Sequence, residues 1–197
     1  FSGMYSNLYH LQRPTKISKV GELIKQELIK AESKHRARHI TTANLESSGD
    51  ALSARMPLFF NPDITISVAT ITENMEYCYR NGTADEVLYI QSGDGKLISN
   101  FGTLQIKSGD YVVIPRGVIW ELKPKSTIRM LVIESAKPVE TPSRYRNRFG
   151  QLLEHSPFCE RDIQIPELQE TIVNNNECLV RVKTLEGIQE YTYANHP

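Results

Sequence analysis

Long apolar runs and a surplus of either charge are both missing from this sequence. The 23 Lys and Arg residues balance the 23 Asp and Glu residues in a chain of 197. This balance argues against a partner held mainly through charge, such as nucleic acid or an anionic membrane. The longest apolar runs, 111–115 and 130–133, are far shorter than the roughly 20 residues of a membrane-spanning helix. We therefore expect a globular domain that binds neither nucleic acid nor membrane.

Cysteine is scarce and forms no motif. Cys78, Cys159 and Cys178 are odd in number, lie far apart and include no CxxC pair. This usage is typical of reduced thiols in the cytosol rather than of a disulfide framework. The first residues also lack the basic stretch and apolar core of a secretory signal. We expect a cytoplasmic protein whose cysteines are structural.

The amino-terminal third contains one segment with helical periodicity. Between Ser18 and Ala31, apolar residues recur every three or four positions, and Ser18 is a suitable N-cap. The stretch 41–61 is rich in Ser, Gly, Asp and Pro and predicts an extended connection over the surface. Residues 1–62 are therefore predicted to form a short amino-terminal helical segment and an extended arm.

After the arm, the apolar residues recur with a period of two. Short alternating runs separated by turn residues predict an all-β sandwich or barrel over 63–137. Two tight hairpins are predicted, one through 92–95 and one through 184–187, where glycine can adopt a positive φ. The segment 138–197 is predicted to be a carboxy-terminal β extension.

Two turns of the predicted barrel share a pattern of glycine and proline. Six residues separate Glu86 from Gly93, and five separate Gly109 from Pro115. The pattern resembles the paired signature of the cupin superfamily, in which both turns border one pocket. The resemblance implies a mainly β, cupin-type jelly-roll barrel.

The histidines of a metal-binding cupin are missing from these turns. Two of them would lie shortly before Glu86, and another would follow the glycine of the second turn. The corresponding positions hold Gly82 and Arg80, or Asn81 and Tyr79 in the looser spacing, and then Trp120. Because one carboxylate cannot hold a transition metal against water, we predict no metal, cofactor or catalytic residue in this chain.

We expect structural rather than catalytic roles for the residues that remain at these positions. Glu86 is expected to pair with a nearby guanidinium, with Arg80 and Arg116 as candidates. Trp120 is expected to fill the core.

Longer stretches of the sequence resemble one enzyme family, homogentisate 1,2-dioxygenase, over its amino-terminal half. The resemblance runs from Thr65 to the last residue. The matching stretches are NMEYCYRNG at 74–82, ADEVLY at 84–89, FGTL at 101–104, GDYVVIPRG at 109–117, FGQLLEHSP at 149–157 and NHP at 195–197.

This resemblance implies an Fe(II) enzyme, an extradiol-type oxygenase that cleaves the homogentisate ring with dioxygen to maleylacetoacetate in tyrosine and phenylalanine catabolism. Two His and one Glu hold the iron in the carboxy-terminal cupin half of that family, beyond Pro197, so no ligand is carried onto this chain. It also implies a cytosolic trimer or hexamer. This chain alone is then expected to be an inactive scaffold for the catalytic half. Whether the chain naturally ends at Pro197 stays open.

Two other hypotheses remain open. In a stand-alone cupin module, Trp120, Tyr89, Arg80 and Arg116 would line a pocket for a small acidic aromatic ligand. A metal-independent isomerase or epimerase would need a buried acid and base such as His with Tyr. The absence of any His between positions 39 and 155 argues against it.

Several weaker clusters are expected to be solvated or structural. His35 and His39 could share a helix face, but the Lys and Arg residues around them would repel a cation. His155 and Cys159 are close in sequence, yet nothing indicates a hydrolytic triad. Three arginines could hold a phosphate or stack on bases, but salt bridges across an oligomer interface are the favoured interpretation; they are Arg144, Arg146 and Arg148.

Overall fold

The computed structural model describes residues 7–11, 13–31, 34, 36–45, 47–170 and 176–196. The strands in this part of the chain are β1 Ile17–Lys25, β2 Met56–Phe60, β3 Ile64–Ile71, β4 Cys78–Asn81, β5 Asp85–Ser92, β6 Asp94–Ser99, β7 Gly102–Lys107, β8 Tyr111–Ile114, β9 Ile119–Pro124, β10 Ile128–Ser135, β11 Cys178–Lys183 and β12 Gly187–Tyr193. Short 3-10 helices cover Thr42–Asn44, Ser143–Tyr145 and Glu160–Asp162.

The strands form two sheets that enclose one main core. The larger sheet has the order β1-β12-β11-β4-β9-β6-β7, and the smaller has the order β2-β3-β10-β5-β8. The pairs are antiparallel except for β4 with β11, which is parallel. The predicted mainly β, cupin-type jelly roll is confirmed, as two open sheets rather than a closed barrel.

The predicted period of two follows from the position of this core. In β10, every second residue from Ile128 to Glu134 is buried and the residues between them are half-buried. Successive side chains of a strand point to opposite faces, so one face of β10 lines the core. The apolar members of that face join Leu88 of β5 and Trp120 of β9 in one cluster.

The predicted helix at Ser18–Ala31 is wrong, because this region contains strand β1. The strand pairs antiparallel with β12, and the register shifts between Ile17 and Lys19 and again between Val20 and Leu23. These irregularities interrupt the period of two, so the apolar residues fall at spacings that imitate a helix. The β-branched residues and the hydrogen bonds of β12 favour the strand.

The predicted hairpin through 92–95 is also wrong. Strand β5 lies in the smaller sheet and β6 in the larger one, so the chain crosses between sheets at Gly93. Its φ is +87°, and a Cβ there would lie 2.3 Å from the carbonyl oxygen of Thr127. Only glycine fits this corner. The hairpin through 184–187 is confirmed, since β11 and β12 pair antiparallel.

The strands outside 63–137 belong to the same two sheets. From the arm, β2 pairs with β3, and from the extension, β11 pairs with β4. The domain boundaries at 62 and 137 stay predictions, although hydrogen-bonded pairs cross both. Among the described residues, no helix has the length and apolarity needed to cross a bilayer.

Candidate functional site

The polar centre of the core is a pair of carboxylates on neighbouring strands. Glu86 of β5 lies directly opposite Glu134 of β10 in the antiparallel register. Both residues are buried, and Glu86 has no exposed surface. Two like charges facing each other across a pair of strands destabilise a sheet. The fold therefore needs positive charge at this point.

Arg55 supplies the first positive charge. Its Nη1 atom lies 2.6 Å from Oε1 of Glu86 and 3.7 Å from Oε1 of Glu134. The guanidinium also lies 5.3 Å from the ring centre of Tyr79 and 6.0 Å from that of Trp120, which is within cation–π range. Arg55 thus bridges the two carboxylates inside an aromatic pocket.

Lys183 supplies the second positive charge. Its Nζ atom lies 2.6 Å from Oε1 of Glu134. The side-chain amide of Asn81 donates hydrogen bonds to Oε1 of Glu134 over 2.8 Å and to Oε1 of Glu86 over 3.3 Å. Two negative and two positive groups therefore meet, and Asn81 links the carboxylates. We call these residues the buried ion cluster: Arg55, Asn81, Glu86, Glu134 and Lys183.

The pKa values within the buried ion cluster follow from this charge balance. Burial alone would raise the pKa of Glu134, but the charges of Arg55 and Lys183 hold it below its ordinary value. Burial would lower the pKa of Arg55, and the charge of Glu86 raises it instead. Burial raises the pKa of Tyr79 well above its ordinary value, and the charge of Glu86 adds to the effect. The stable state thus has a charged Glu134, a charged Arg55 and a neutral Tyr79.

A compact turn carries Arg55 into the core. Oδ1 of Asp50 accepts hydrogen bonds from the backbone N–H groups of Leu52 and Ser53 and from the hydroxyl of Tyr77. The backbone N–H of Ala54 bonds to the carbonyl of Asp50 over 3.0 Å. We call residues 50–55 the plug, because its apolar side chains are buried in the main core; they are Ala51, Leu52 and Ala54.

The plug corrects the prediction that 41–61 runs over the surface. The Ser, Gly and Asp residues of 41–61 suggested an exposed loop, but Asp50 uses its carboxylate to cap a turn. Burial alone would raise the pKa of Asp50, and the hydrogen bonds from Ser53, Leu52 and Tyr77 lower it. The three apolar residues within four positions, Ala51, Leu52 and Ala54, were the sequence signal that could have indicated burial.

The guanidinium that meets Glu86 is not one of the two predicted. Tyr79 and Asn81 of β4 point into the core, so Arg80 between them points to the opposite face. Arg116 lies beside Asp85 instead, with Nε 4.0 Å from Oδ1, and its Nη2 donates to the carbonyl of Ala136. The prediction that Glu86 pairs with a guanidinium is confirmed, but the guanidinium is that of Arg55. The two predicted candidates, Arg80 and Arg116, are wrong.

The four residues of the hypothetical ligand pocket are not brought together. Trp120 is buried in the main core and meets Tyr79 edge-on, with ring centres 5.5 Å apart. Tyr89 alternates with the buried residues of β5 and stacks instead on Tyr111, with ring centres 4.6 Å apart. Trp120 thus fills the core as expected, and the proposed pocket does not form from these side chains.

The buried ion cluster does not fit a transition metal. Iron of the facial-triad type needs imidazole donors beside its carboxylate. The five residues of the buried ion cluster include no histidine. The Oε1 atoms of both acids already bind cationic side chains, whose charge opposes a divalent ion. Three buried atoms near the cluster have no hydrogen-bond partner: Nη2 of Arg55, Oε2 of Glu86 and Nε1 of Trp120. Their chemistry suits water rather than iron.

The weaker candidates lie on the surface. His39 is exposed, and His35 lies outside the described residues. Nε2 of His155 is 3.2 Å from the carbonyl oxygen of Arg144, and its side chain is exposed. Arg146 pairs with Glu140 of the same chain over 2.6 Å. Arg144 and Arg148 lie over the rings of their sequence neighbours, 4.6 Å from Tyr145 and 4.7 Å from Phe149.

Comparison with known proteins finds a family model that is similar to part of the chain, residues 50–143. This range matches the family model described as homogentisate 1,2-dioxygenase N-terminal. The chain is also 38% identical, over its whole length, to a protein of Saccharolobus solfataricus that is named as a putative dioxygenase. The chain spans 51% of that relative, so it corresponds to about half of it.

Two solved structures are similar over a smaller part of the chain. A cupin-2 domain protein of Shewanella frigidimarina is 17% identical, with a TM-score of 0.38, over 41% of this chain and 78% of its own. Salicylate 1,2-dioxygenase of Pseudoaminobacter salicylatoxidans is 20% identical, with a TM-score of 0.38, over 42% of this chain and 25% of its own.

Proposed function

We propose that this chain is the metal-free cupin half of a homogentisate 1,2-dioxygenase-like enzyme, because residues 50–143 match the family model described as homogentisate 1,2-dioxygenase N-terminal. In that enzyme, a carboxy-terminal catalytic half would hold Fe(II) and open the ring of homogentisate to maleylacetoacetate in the cytosol. The role of this half would be to scaffold the catalytic half and to provide contacts in a trimer or hexamer.

The observation that carries the proposal is the buried ion cluster. In the cupin signature, Glu86 is the remaining ligand position, and its Oε1 atom is 2.6 Å from Arg55 Nη1. A guanidinium with fixed donors stabilises the carboxylate much as a bound cation would, and it needs no imidazole. The cluster thereby stabilises the fold instead of performing chemistry.

Exposed apolar side chains on the extension support a scaffold role. Large apolar residues there are exposed, which is typical of surfaces that a partner covers; they are Phe149, Ile163, Ile165, Leu168 and Leu185. The catalytic half or a second copy of this chain would cover them.

An oxygen-uptake assay with homogentisate and Fe(II) tests the proposal. The chain alone should consume no oxygen above the rate without protein. The same chain, fused to the half of the Saccharolobus solfataricus relative that it does not match, should consume oxygen and cleave the ring. Turnover that scales with the isolated chain would contradict the scaffold role. A folded fusion that cleaves no homogentisate would contradict the proposed substrate.

Titration of the isolated chain with phenylacetate-type acids separates the proposal from the ligand-binding hypothesis. A scaffold should give no saturable heat of binding. Saturable binding that Trp120→Phe abolishes would favour a small-molecule pocket. The conservative exchange of one core aromatic for another keeps most of the buried volume.

A further inference from the structure

A second polar cluster lies on the outer face of the larger sheet. Sγ of Cys78 is 3.7 Å from Sγ of Cys178 and 3.9 Å from Nε2 of His196. The three potential ligand atoms all lie within 4.8 Å of one another. They come from β4, β11 and the tail that follows β12, so residues 100 and 118 positions apart in sequence meet here.

This cluster is separated from the buried ion cluster by the sheet itself. Tyr79 belongs to the main core, whereas Cys78 belongs to a smaller outer cluster with Val180 and Val182. Adjacent residues of a strand point to opposite faces. Any ion held by Cys78 would therefore lie outside the jelly roll, away from Glu86.

The spacing of the sulfur atoms matches a tetrahedral metal. With metal–sulfur bonds of about 2.3 Å, two thiolates of a tetrahedral zinc site lie about 3.8 Å apart. With a zinc–nitrogen bond of about 2.0 Å, a thiolate and an imidazole lie about 3.5 Å apart. The observed 3.7 Å and 3.9 Å need shifts of a few tenths of an ångström at most. The third pair, Cys178 with His196, lies within 4.8 Å and would have to close by up to about 1.3 Å.

The surroundings leave room for one small ion. A cavity of about 10 Å³ is lined by Cys78, His196, Glu121 and Ile119, among others. A cavity of this size holds about one water molecule. Glu121 brings a carboxylate to the same space, and its Oε1 atom is 3.0 Å from Nζ of Lys123. Since the carboxylate of Glu121 pairs with Lys123 and His196 is exposed to solvent, we expect water as the fourth ligand.

We propose that Cys78, Cys178 and His196 bind one Zn²⁺ ion, which fastens the carboxy-terminal tail of this chain to the outer face of the larger sheet. Two thiolates and one imidazole form a soft donor set. Such a set binds zinc in preference to magnesium, calcium or manganese. The backbone already brings the tail close, because the N–H of Ala194 bonds to the carbonyl of Lys16 over 3.0 Å. This site departs from the prediction that the chain holds no metal, because that prediction is argued from the cupin pocket on the opposite face of the sheet.

Zinc titration of the reduced, chelator-treated chain tests the site. In competition with a chromophoric chelator, the chain should bind one Zn²⁺ per molecule. Co²⁺ in its place should give a thiolate-to-cobalt charge-transfer band in the near ultraviolet. Cys178→Ser and His196→Ala should each weaken zinc binding by at least about tenfold. The matched controls Cys159→Ser and His155→Ala change residues outside the cluster and should bind as the unchanged chain does.

Each outcome decides the proposal. His196 lies in the tail after the last strand, so His196→Ala should keep the circular dichroism spectrum of the unchanged chain and lose only the metal. No stoichiometric zinc in the reduced chain would overturn the site, as would equal affinity in His196→Ala and His155→Ala. A Cys78–Cys178 disulfide, together with absence of zinc binding after reduction, would also overturn it. None of these results bears on ring cleavage.

Discussion

At the scale of single residues, the main feature of the interior is that two buried carboxylates are paired with a buried arginine. Glu86 and Glu134 face each other across two strands, and Arg55 contacts both. Removing one partner from a buried ion pair is costly, because an uncompensated charge stays in a medium of low dielectric constant. Arg55 is therefore the residue on which we expect the stability of the jelly roll to depend most.

Replacing Arg55 by methionine should lower the free energy of unfolding by about 3–5 kcal/mol. The reason is that Glu86, which has no exposed surface, loses its closest cation. Denaturant unfolding followed by circular dichroism measures the change. The double variant Arg55→Met/Glu86→Gln should recover much of the loss, because it no longer buries the Glu86 charge.

Arg116→Met is the matched control for Arg55→Met. The Arg116 side chain is 41% exposed and lies 4.0 Å from Asp85, so this change should cost no more than about 1 kcal/mol. If Arg55→Met and Arg116→Met lowered the free energy of unfolding equally, a central role for Arg55 would be contradicted.

Glu134 should make the protein sensitive to acid. Its pKa is held below the ordinary 4.5 in the folded chain. The carboxylate therefore adds stability above pH 4.5, and that stability is lost as the pH falls through the lower folded pKa. Denaturant unfolding between pH 7 and pH 3 should show that the difference between the unchanged chain and Glu134→Gln shrinks with falling pH. Glu73→Gln, at an exposed position, is the control. A constant difference would contradict the prediction.

At the scale of elements, the strands with a clear period of two were predictable and the irregular ones were not. The alternation of β10 is visible in the sequence because one face is buried along its whole length. Strand β1 was not recognised, because its register shifts break the alternation and its pairing with β12 depends on residues about 170 positions away. Sequence reasoning reaches local periodicity, while pairing over such distances is set by tertiary contact.

The buried ion cluster shows the same limit. Glu86 was recognisable from its spacing to Gly93, but Arg55 and Lys183 lie 31 and 97 positions away, with no motif in common. The corner at Gly93 was recognised as a turn, yet not as a crossing between sheets. A turn residue fixes only the local backbone conformation. Which strand the next one pairs with depends on residues far away in the sequence.

Gly187 should be essential for the docking of β1. Its φ is +145°, and a Cβ there would lie 2.3 Å from the carbonyl oxygen of Ile24. Gly187→Ala should push β1 away from β12, so that amides in Ile17–Lys25 exchange with solvent faster. Gly109→Ala is the matched control, because Gly109 has φ +94° and nothing within 4 Å of the added Cβ. The control should cost about 1 kcal/mol without changing exchange in β1. If the amides of Ile17–Lys25 exchanged at the same rate in Gly187→Ala and Gly109→Ala, the prediction would be contradicted.

At the scale of the whole molecule, the jelly roll is incomplete without the segments on either side of it. The strands within 63–137 contribute both buried acids, whereas Arg55 comes from the plug and Lys183 from β11. The plug also adds apolar side chains to the main core. The positive half of the buried ion cluster is thus supplied from outside the predicted barrel.

A fragment limited to 63–137 should therefore fail to fold, whereas a fragment covering 47–197 should fold. The shorter fragment buries Glu86 and Glu134 with neither cation, and each unpaired buried charge costs several kcal/mol, comparable to the whole stability of a small domain. Thermal unfolding should show a cooperative transition only in the longer fragment. Glu86→Gln/Glu134→Gln in the shorter fragment separates charge from lost surface: a regained transition would assign the failure to charge. If the unmodified 63–137 fragment unfolded at the same midpoint as 47–197, the arm and extension would be dispensable, and the predicted boundaries would mark an independent domain.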